Sequence, residues 1–240
     1  MSIYEELNVP RVINCAGKMT YLGSSVLREE VMEAMNEAGA SFVSIDELML
    51  RAGEKAAELC GAEAGMVTAG ASAGIIAAVA GVITGGDPLL TEQVPHPKTN
   101  KRKVILQKGH AIYFSAPMTQ MIAIGGGIPE EVGTVSKTLP YHIENSIDED
   151  TAAIMYAQSH HAVQTDMVPL DKVIEIAHKK GVPVLVDAAA EEDMQKYVKM
   201  GADIVIYSGA KAFEGPTSGF IVGRKCYIEM CRQQTKGVCR

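Results

Sequence analysis

Residues 152–208 read AAIMYAQSHHAVQTDMVPLDKVIEIAHKKGVPVLVDAAAEEDMQKYVKMGADIVIYS, and this stretch decides the fold. The apolar run at 152–157 predicts a strand. In the segment 170–180, Val173, Ile174 and Ala177 form an apolar stripe at helical spacing, and Gly181 and Pro183 end that helix. A second buried strand is predicted at 183–186, a second helix at 191–200 and a third strand at 203–207. Strand and helix alternating in this way build a mostly parallel sheet with right-handed crossovers. The strands are apolar without alternation, as expected when helices cover both faces of a sheet.

Outside this core, strands are predicted at 66–68, 104–107, 121–124 and 219–222, giving about seven in all. Residues 73–83 are apolar nearly all round and predict a helix buried in the core. Upstream, Val31, Met35 and Ala38 fall at helical spacing within VLREEVMEAMNEA, with Gly39 as a stop. Ser44 and Glu47 have capping-box spacing and open a helix over 46–60, ended by Gly61. The expected architecture is α/β: a three-layer αβα sandwich around a mostly parallel sheet. It occupies residues 46–240, and residues 1–45 form a segment that packs on the core or on a partner subunit.

Composition narrows the function classes. The 240 residues are 47% hydrophobic and 21% charged, an ordinary globular balance. The longest apolar run, 75–83, is far too short to span a membrane. The opening MSIYEELNVPR has acidic residues and no apolar core, so no secretory signal is expected. The five cysteines (Cys15, Cys60, Cys226, Cys231 and Cys239) are odd in number and form no CxxC pair. Neither a zinc site nor a disulfide framework is expected from them, and reduced thiols in a cytoplasmic protein are the simple reading. The net charge is −7, and the one dense basic cluster, Lys98, Lys101, Arg102 and Lys103, reads as a solvated loop. Nucleic acid is therefore not an expected partner. The scattered methionines read as core filler.

In open α/β sheets, ligands bind beyond the carboxyl ends of the strands. Asp187 follows the strand PVLV, Ser208 follows IVIY, and Lys211 lies just beyond Ser208. An acid and a lysine so placed could be a plain ion pair. Three details favour chemistry instead. Asp187 ends a strongly apolar strand, where an unpaired carboxylate is costly. Lys211 sits in a glycine-rich turn, YSGAKAFEGPTSGFIVG, that runs into another strand. The turn TAGASAG, residues 68–74, joins a strand to the N-terminus of a buried helix, and such a turn cradles phosphate through free N–H groups and the helix dipole. Pyridoxal phosphate (PLP) requires these parts: an amine for the Schiff base, a carboxylate for its pyridine nitrogen and a phosphate cradle. Other motifs fail. No GxGxxG follows a strand, no GxxxxGK[ST] exists, and Gly125-Gly126-Gly127 reads as a turn after the 121–124 strand.

The segments SGAKAFEGPTSGFIVG, VLVDAAAEE, VPRVINCAGKMTYLGSS and VTAGASAGI together resemble the SelA-like (selenocysteine synthase-like) branch of the fold-type-I PLP enzymes, in the same order along the chain. The resemblance implies that Lys211 is the Schiff-base lysine and Asp187 the partner of the pyridine nitrogen. It implies that Gly70, Ala71 and Ser72 cradle the phosphate, with a further contact from Ser208. His110 falls where this fold often puts a ring-stacking residue. It also implies a small-molecule substrate, a homodimer or higher homo-oligomer, and a smaller C-terminal domain. That domain is expected to be largely absent here, since only about one helix follows the last strand. Its loss would remove the usual carboxylate-binding arginine, leaving Arg11, Arg28 and Arg51 as substitutes. The implied activity is a lyase that eliminates water and ammonia from an amino-sugar acid phosphate, converting D-glucosaminate 6-phosphate to 2-keto-3-deoxy-6-phosphogluconate. The alternatives are a transferase acting on seryl-tRNA and a non-catalytic relative.

His160 and His161 follow the strand AAIMYAQ at another carboxyl end. One of them could protonate a leaving hydroxyl, as general acids are most often histidines, or the two could be a structural pair. Adjacent residues rarely ligate one ion, so no metal is expected there. His96 and His142 read as loop residues.

Overall fold

The computed structural model describes residues 2–114 and 116–236. The strands are β1 (Ala64–Thr68), β2 (Lys103–Gln107), β3 (Tyr113–Phe114), β4 (Ala116–Pro117), β5 (Ile128–Val132), β6 (Thr151–Ala157), β7 (Val184–Asp187), β8 (Ile204–Ser208) and β9 (Gly219–Gly223). All but the small β3–β4 hairpin form one seven-stranded sheet in the order β1-β9-β8-β7-β6-β2-β5. The run from β8 through β7, β6 and β2 to β5 is parallel, whereas β9 is antiparallel to both β8 and β1.

The helices are α1 (Ile3–Glu6), α2 (Glu29–Gly39), α3 (Ile45–Cys60), α4 (Ala71–Thr84), α5 (Pro88–Glu92), α6 (Met118–Ile124), α7 (Pro140–Ser146), α8 (Leu170–Lys179), α9 (Lys196–Lys199), α10 (Gly209–Ala212) and α11 (Lys225–Gln233). Successive strand side chains point to opposite faces. Leu185, Ile204 and Ile206 therefore join Ile75 and Val79 of α4 in one core. Val184, Val186 and Val205 join Val173 and Ile176 of α8 in the other. Two covered faces explain why the central strands are apolar throughout, and they make the three-layer sandwich expected from the sequence.

Several local expectations are corrected. Residues 121–124 are not a strand but the end of α6, whose buried Met118, Met121 and Ile122 lie at helical spacing. The Gly125–Gly127 turn thus follows a helix. The seventh strand is β5, IPEEV, an edge strand whose polar residues hide it from an apolar-run reading. Of residues 191–200, only Lys196–Lys199 are helical. Asp193 Oδ1 accepts from Gln195 N and Lys196 N at 3.1 and 3.0 Å, so the helix starts late. At α3, Ser44 Oγ accepts from Glu47 N at 3.4 Å, and Gly61 closes the helix in the left-handed region at φ +65. The reciprocal half of the capping box is not formed among the described residues. The stripe of α2 is little covered by the described residues, since none of its residues is buried. Cys15, Cys60, Cys226 and Cys231 are free thiols, and Cys239 lies outside the described residues. Among the described residues no helix is long and apolar enough to cross a membrane.

Candidate active site

The neighbouring parallel strands β7 and β8 end side by side at Asp187 and Ser208. Beyond them opens a crevice of about 290 Å³, lined by Asp187, Ser208, Lys211, Gly70, Ala71, Ser72, His160 and His161 among others. Asp187 is only 7% exposed. Its Oδ1 accepts from Ala189 N at 3.1 Å. Burial raises its carboxyl to about 6, against the opposing effects of that hydrogen bond and of Lys211. Lys211 is half-buried, and burial holds its ammonium below the usual lysine range, with Asp187 pulling the other way. Its Nζ stands 5.4 Å from the centroid of the Phe114 ring.

The third wall is the N-terminus of α4. Gly70 is its N-cap in an extended conformation and supplies no side-chain cap, so the first-turn N–H groups are left for a ligand. Thr68 Oγ1 donates to Gly70 O at 2.8 Å and fixes the entry to this turn. A Cβ on Gly219 would lie 2.4 Å from Gly70 C and 2.7 Å from Ala71 N. Only glycine lets β9 approach the turn this closely.

His160 and His161 sit at the mouth of the crevice with ring centroids 4.0 Å apart. His161 stacks on Phe114 at 4.6 Å with planes 20° apart. Its pKa is lowered by burial, then by His160 and Lys211. His110 takes a different place from the other expected site residues. It lies outside the crevice lining and is fully buried, edge-on to Tyr156 at 4.5 Å, with Nδ1 accepting from Ala157 N at 3.3 Å. The 3-10 turn Lys108–His110 directs the ring inward, and burial pushes its pKa down to about 4. Arg11, Arg28 and Arg51 do not line the crevice of this chain. Arg51 instead pairs with Glu47 and Glu54 along the exposed face of α3.

Sequence reasoning missed Phe114, Lys18 and Ser25. Phe114 lies in the two-residue strand β3, too short to leave a periodic signal. Lys18 and Ser25 belong to the quoted opening segment, but the turn they meet is 185 or more positions away and leaves no local trace.

Residues 12–238 match the family model described as "SelA: L-seryl-tRNA selenium transferase". The chain belongs to the SelA family. A family member from Salmonella typhimurium, named D-glucosaminate-6-phosphate ammonia lyase, is 44% identical over 100% of this chain and 65% of its own length. A solved structure of a D-glucosaminate-6-phosphate ammonia-lyase superposes with TM-score 0.97 at 44% identity, covering 100% of this chain and 65% of that one. A Streptomyces protein named 5'-C-glycyluridine monooxygenase-decarboxylase is 41% identical over 99% of this chain and 60% of its own. This chain thus spans about two thirds or less of the length of these relatives. An aspartate aminotransferase from Thermus thermophilus matches at TM-score 0.60 and 16% identity, over 88% of this chain and 57% of that one, a likeness of fold alone. The SelA-family fold is that of the large domain of fold-type-I enzymes, and the family is PLP-dependent. The crevice fits that cofactor on its own geometry: a buried carboxylate, an amine of lowered pKa and an uncapped helix N-terminus share one wall-to-wall space.

Proposed function

We propose that this chain is the cofactor-binding part of a PLP-dependent ammonia-lyase that removes water and ammonia from an amino-sugar acid phosphate, D-glucosaminate 6-phosphate. The observation that carries the reading is 44% identity to the Salmonella ammonia lyase over the whole chain, with Lys211 and Asp187 facing one crevice. Bound PLP supplies an electron sink for the carbanion at the substrate Cα. The Asp187 carboxylate keeps a proton on the pyridine nitrogen. Lys211 would hold the cofactor through its amine and would serve as the base for the substrate Cα proton; burial lowers the pKa of that amine, which favours this role. Gly70, Ala71 and Ser72 hold the phosphate with backbone N–H groups and the Ser72 hydroxyl, and Ser208 adds a contact. His161, whose pKa is lowered by burial and then by His160 and Lys211, lines the crevice beside His160. His160 or His161 gives a proton to the leaving β-hydroxyl. Hydrolysis releases ammonia and 2-keto-3-deoxy-6-phosphogluconate.

The test is turnover of D-glucosaminate 6-phosphate by the purified chain, followed as 2-keto acid and ammonia. Oxygen uptake with carbon dioxide release from a glycyl-nucleoside would move the assignment toward the Streptomyces relative. A salt-sensitive gel shift with seryl-tRNA would move it toward the transferases. The net charge of −7 favours the small-molecule substrate. The chain is assigned to the cytoplasm and to a homodimer or larger homo-oligomer, which would cover Ile13, Val26 and Phe42, side chains that stand free in this chain.

A further inference from the structure

Lys18 lies in a tight turn of the N-terminal segment. Ala16 N donates to Asn14 Oδ1 at 2.9 Å, Asn14 Nδ2 donates to Gly17 O at 2.8 Å, and Gly17 takes φ +83. The Lys18 ammonium has three donors, and three oxygens surround it: Glu192 Oε1 at 3.0 Å, Glu214 Oε1 at 3.1 Å and the backbone oxygen of Lys211 at 3.0 Å. These partners belong to the two loops that carry the reactive pair. Glu192 follows Asp187 in the loop after β7. Lys211 and Glu214 lie in the turn after β8.

The turn needs such a partner. α10 is a single turn of helix, so its last carbonyls have no acceptor role within the helix. Ser25 Oγ donates to Ala210 O at 2.8 Å, and Lys18 Nζ donates to the next carbonyl. A positive charge at a helix C-terminus is also favourable electrostatically. Glu214 sits at φ +54, a left-handed conformation uncommon for a non-glycine residue, and there it pairs with Lys18.

We infer that Lys18 is a positioning residue for the reactive lysine, clasping the Lys211 turn to the Asp187 loop so that the amine stands at a fixed place against the carboxylate. The inference rests on the proposed roles of Lys211 and Asp187. Lys18 acts through geometry, because its own charge is met by two carboxylates.

The test uses the 240-residue chain and its Lys18→Met and Lys18→Arg variants. In Lys18→Met without cofactor, backbone amide exchange should quicken in peptides covering residues 188–195 and 209–218 and stay unchanged in the β6 peptide. The dissociation constant for PLP should rise by about threefold to tenfold, the range for a partly exposed charged contact. Lys18→Arg should restore both. Unchanged exchange and affinity in Lys18→Met would overturn the inference, as would faster exchange throughout the chain. If Lys18→Met does not fold, Glu192→Gln and Glu214→Gln each remove one partner and should give the same local pattern. If the unaltered chain binds no PLP, the cofactor reading fails and the exchange measurement alone decides the role of Lys18.

Discussion

Asp187 shows what burying a carboxylate costs a fold. Its carboxyl is held at about 6 in the fold, against 3.8 for an unburdened aspartate, and burial is the main cause. The folded state therefore binds this proton more tightly than the unfolded state. The stability difference is absent below about pH 4, grows as a penalty up to about pH 6, and stays constant above, at roughly 3 kcal/mol. Asp187→Asn should accordingly stabilise the cofactor-free chain at about pH 8, by up to roughly that amount, and leave it unchanged near pH 4. Urea melts at the two pH values check this, and equal effects at both would contradict it. The same variant should lose PLP-dependent turnover by orders of magnitude, since an amide cannot hold the pyridine proton.

At this scale the sequence was informative where a residue's place depends on strand ends. Asp187, Ser208, Lys211, the Gly70–Ser72 turn and the His160–His161 pair all follow strands or precede a helix, and all line one crevice. His110 also follows a strand, yet its ring turns into the core, because a short 3-10 turn decides the direction and nothing in QKGH encodes it.

Among the elements, β9 packs closely on the turn before α4. Gly219→Ala would force a methyl against the backbone of Gly70 and Ala71, which should cost about 1–3 kcal/mol and weaken phosphate binding as well. Inorganic phosphate and PLP affinities, measured with the denaturant midpoint, check both effects. At the opposite end of the sheet, the fully buried Asp203 accepts from Val184 N at 2.8 Å and Arg224 Nη1 at 3.2 Å, and lies 2.8 Å from His178 Nε2. This carboxylate ties β7, α8 and the end of β9 together. Asp203→Ala should destabilise the chain by about 2 kcal/mol through the orphaned partners, without changing PLP affinity, because the site lies at the other strand ends. The central strands were legible because both faces are apolar. The end of helix α6 reads as a strand because it presents a short apolar run, and the edge strand β5 escapes the reading because an edge strand tolerates Pro129, Glu130 and Glu131.

For the whole molecule, the sandwich is complete but the N-terminal segment is not covered. Val26 is 94% and Phe42 109% exposed, and α2 buries none of its residues. Water contact of this extent is what a second copy would remove. Sedimentation equilibrium should give a dimer or larger species, and Val26→Asp with Phe42→Asp should shift it toward monomer; a monomer for the unaltered chain would contradict the proposed assembly. Nothing in the sequence pattern alone distinguished cover by the core from cover by a partner, because an amphipathic stripe such as Val31, Met35 and Ala38 reads the same in either case. The central claim, that Lys211 carries PLP in a crevice completed by Asp187, is tested most directly by the absorbance spectrum of the purified chain with added PLP, before and after borohydride, followed by peptide mapping. A visible band that borohydride removes, with the cofactor fixed on the peptide containing Lys211, is the predicted result. A chain that stays colourless, or carries the label on another lysine, would contradict it.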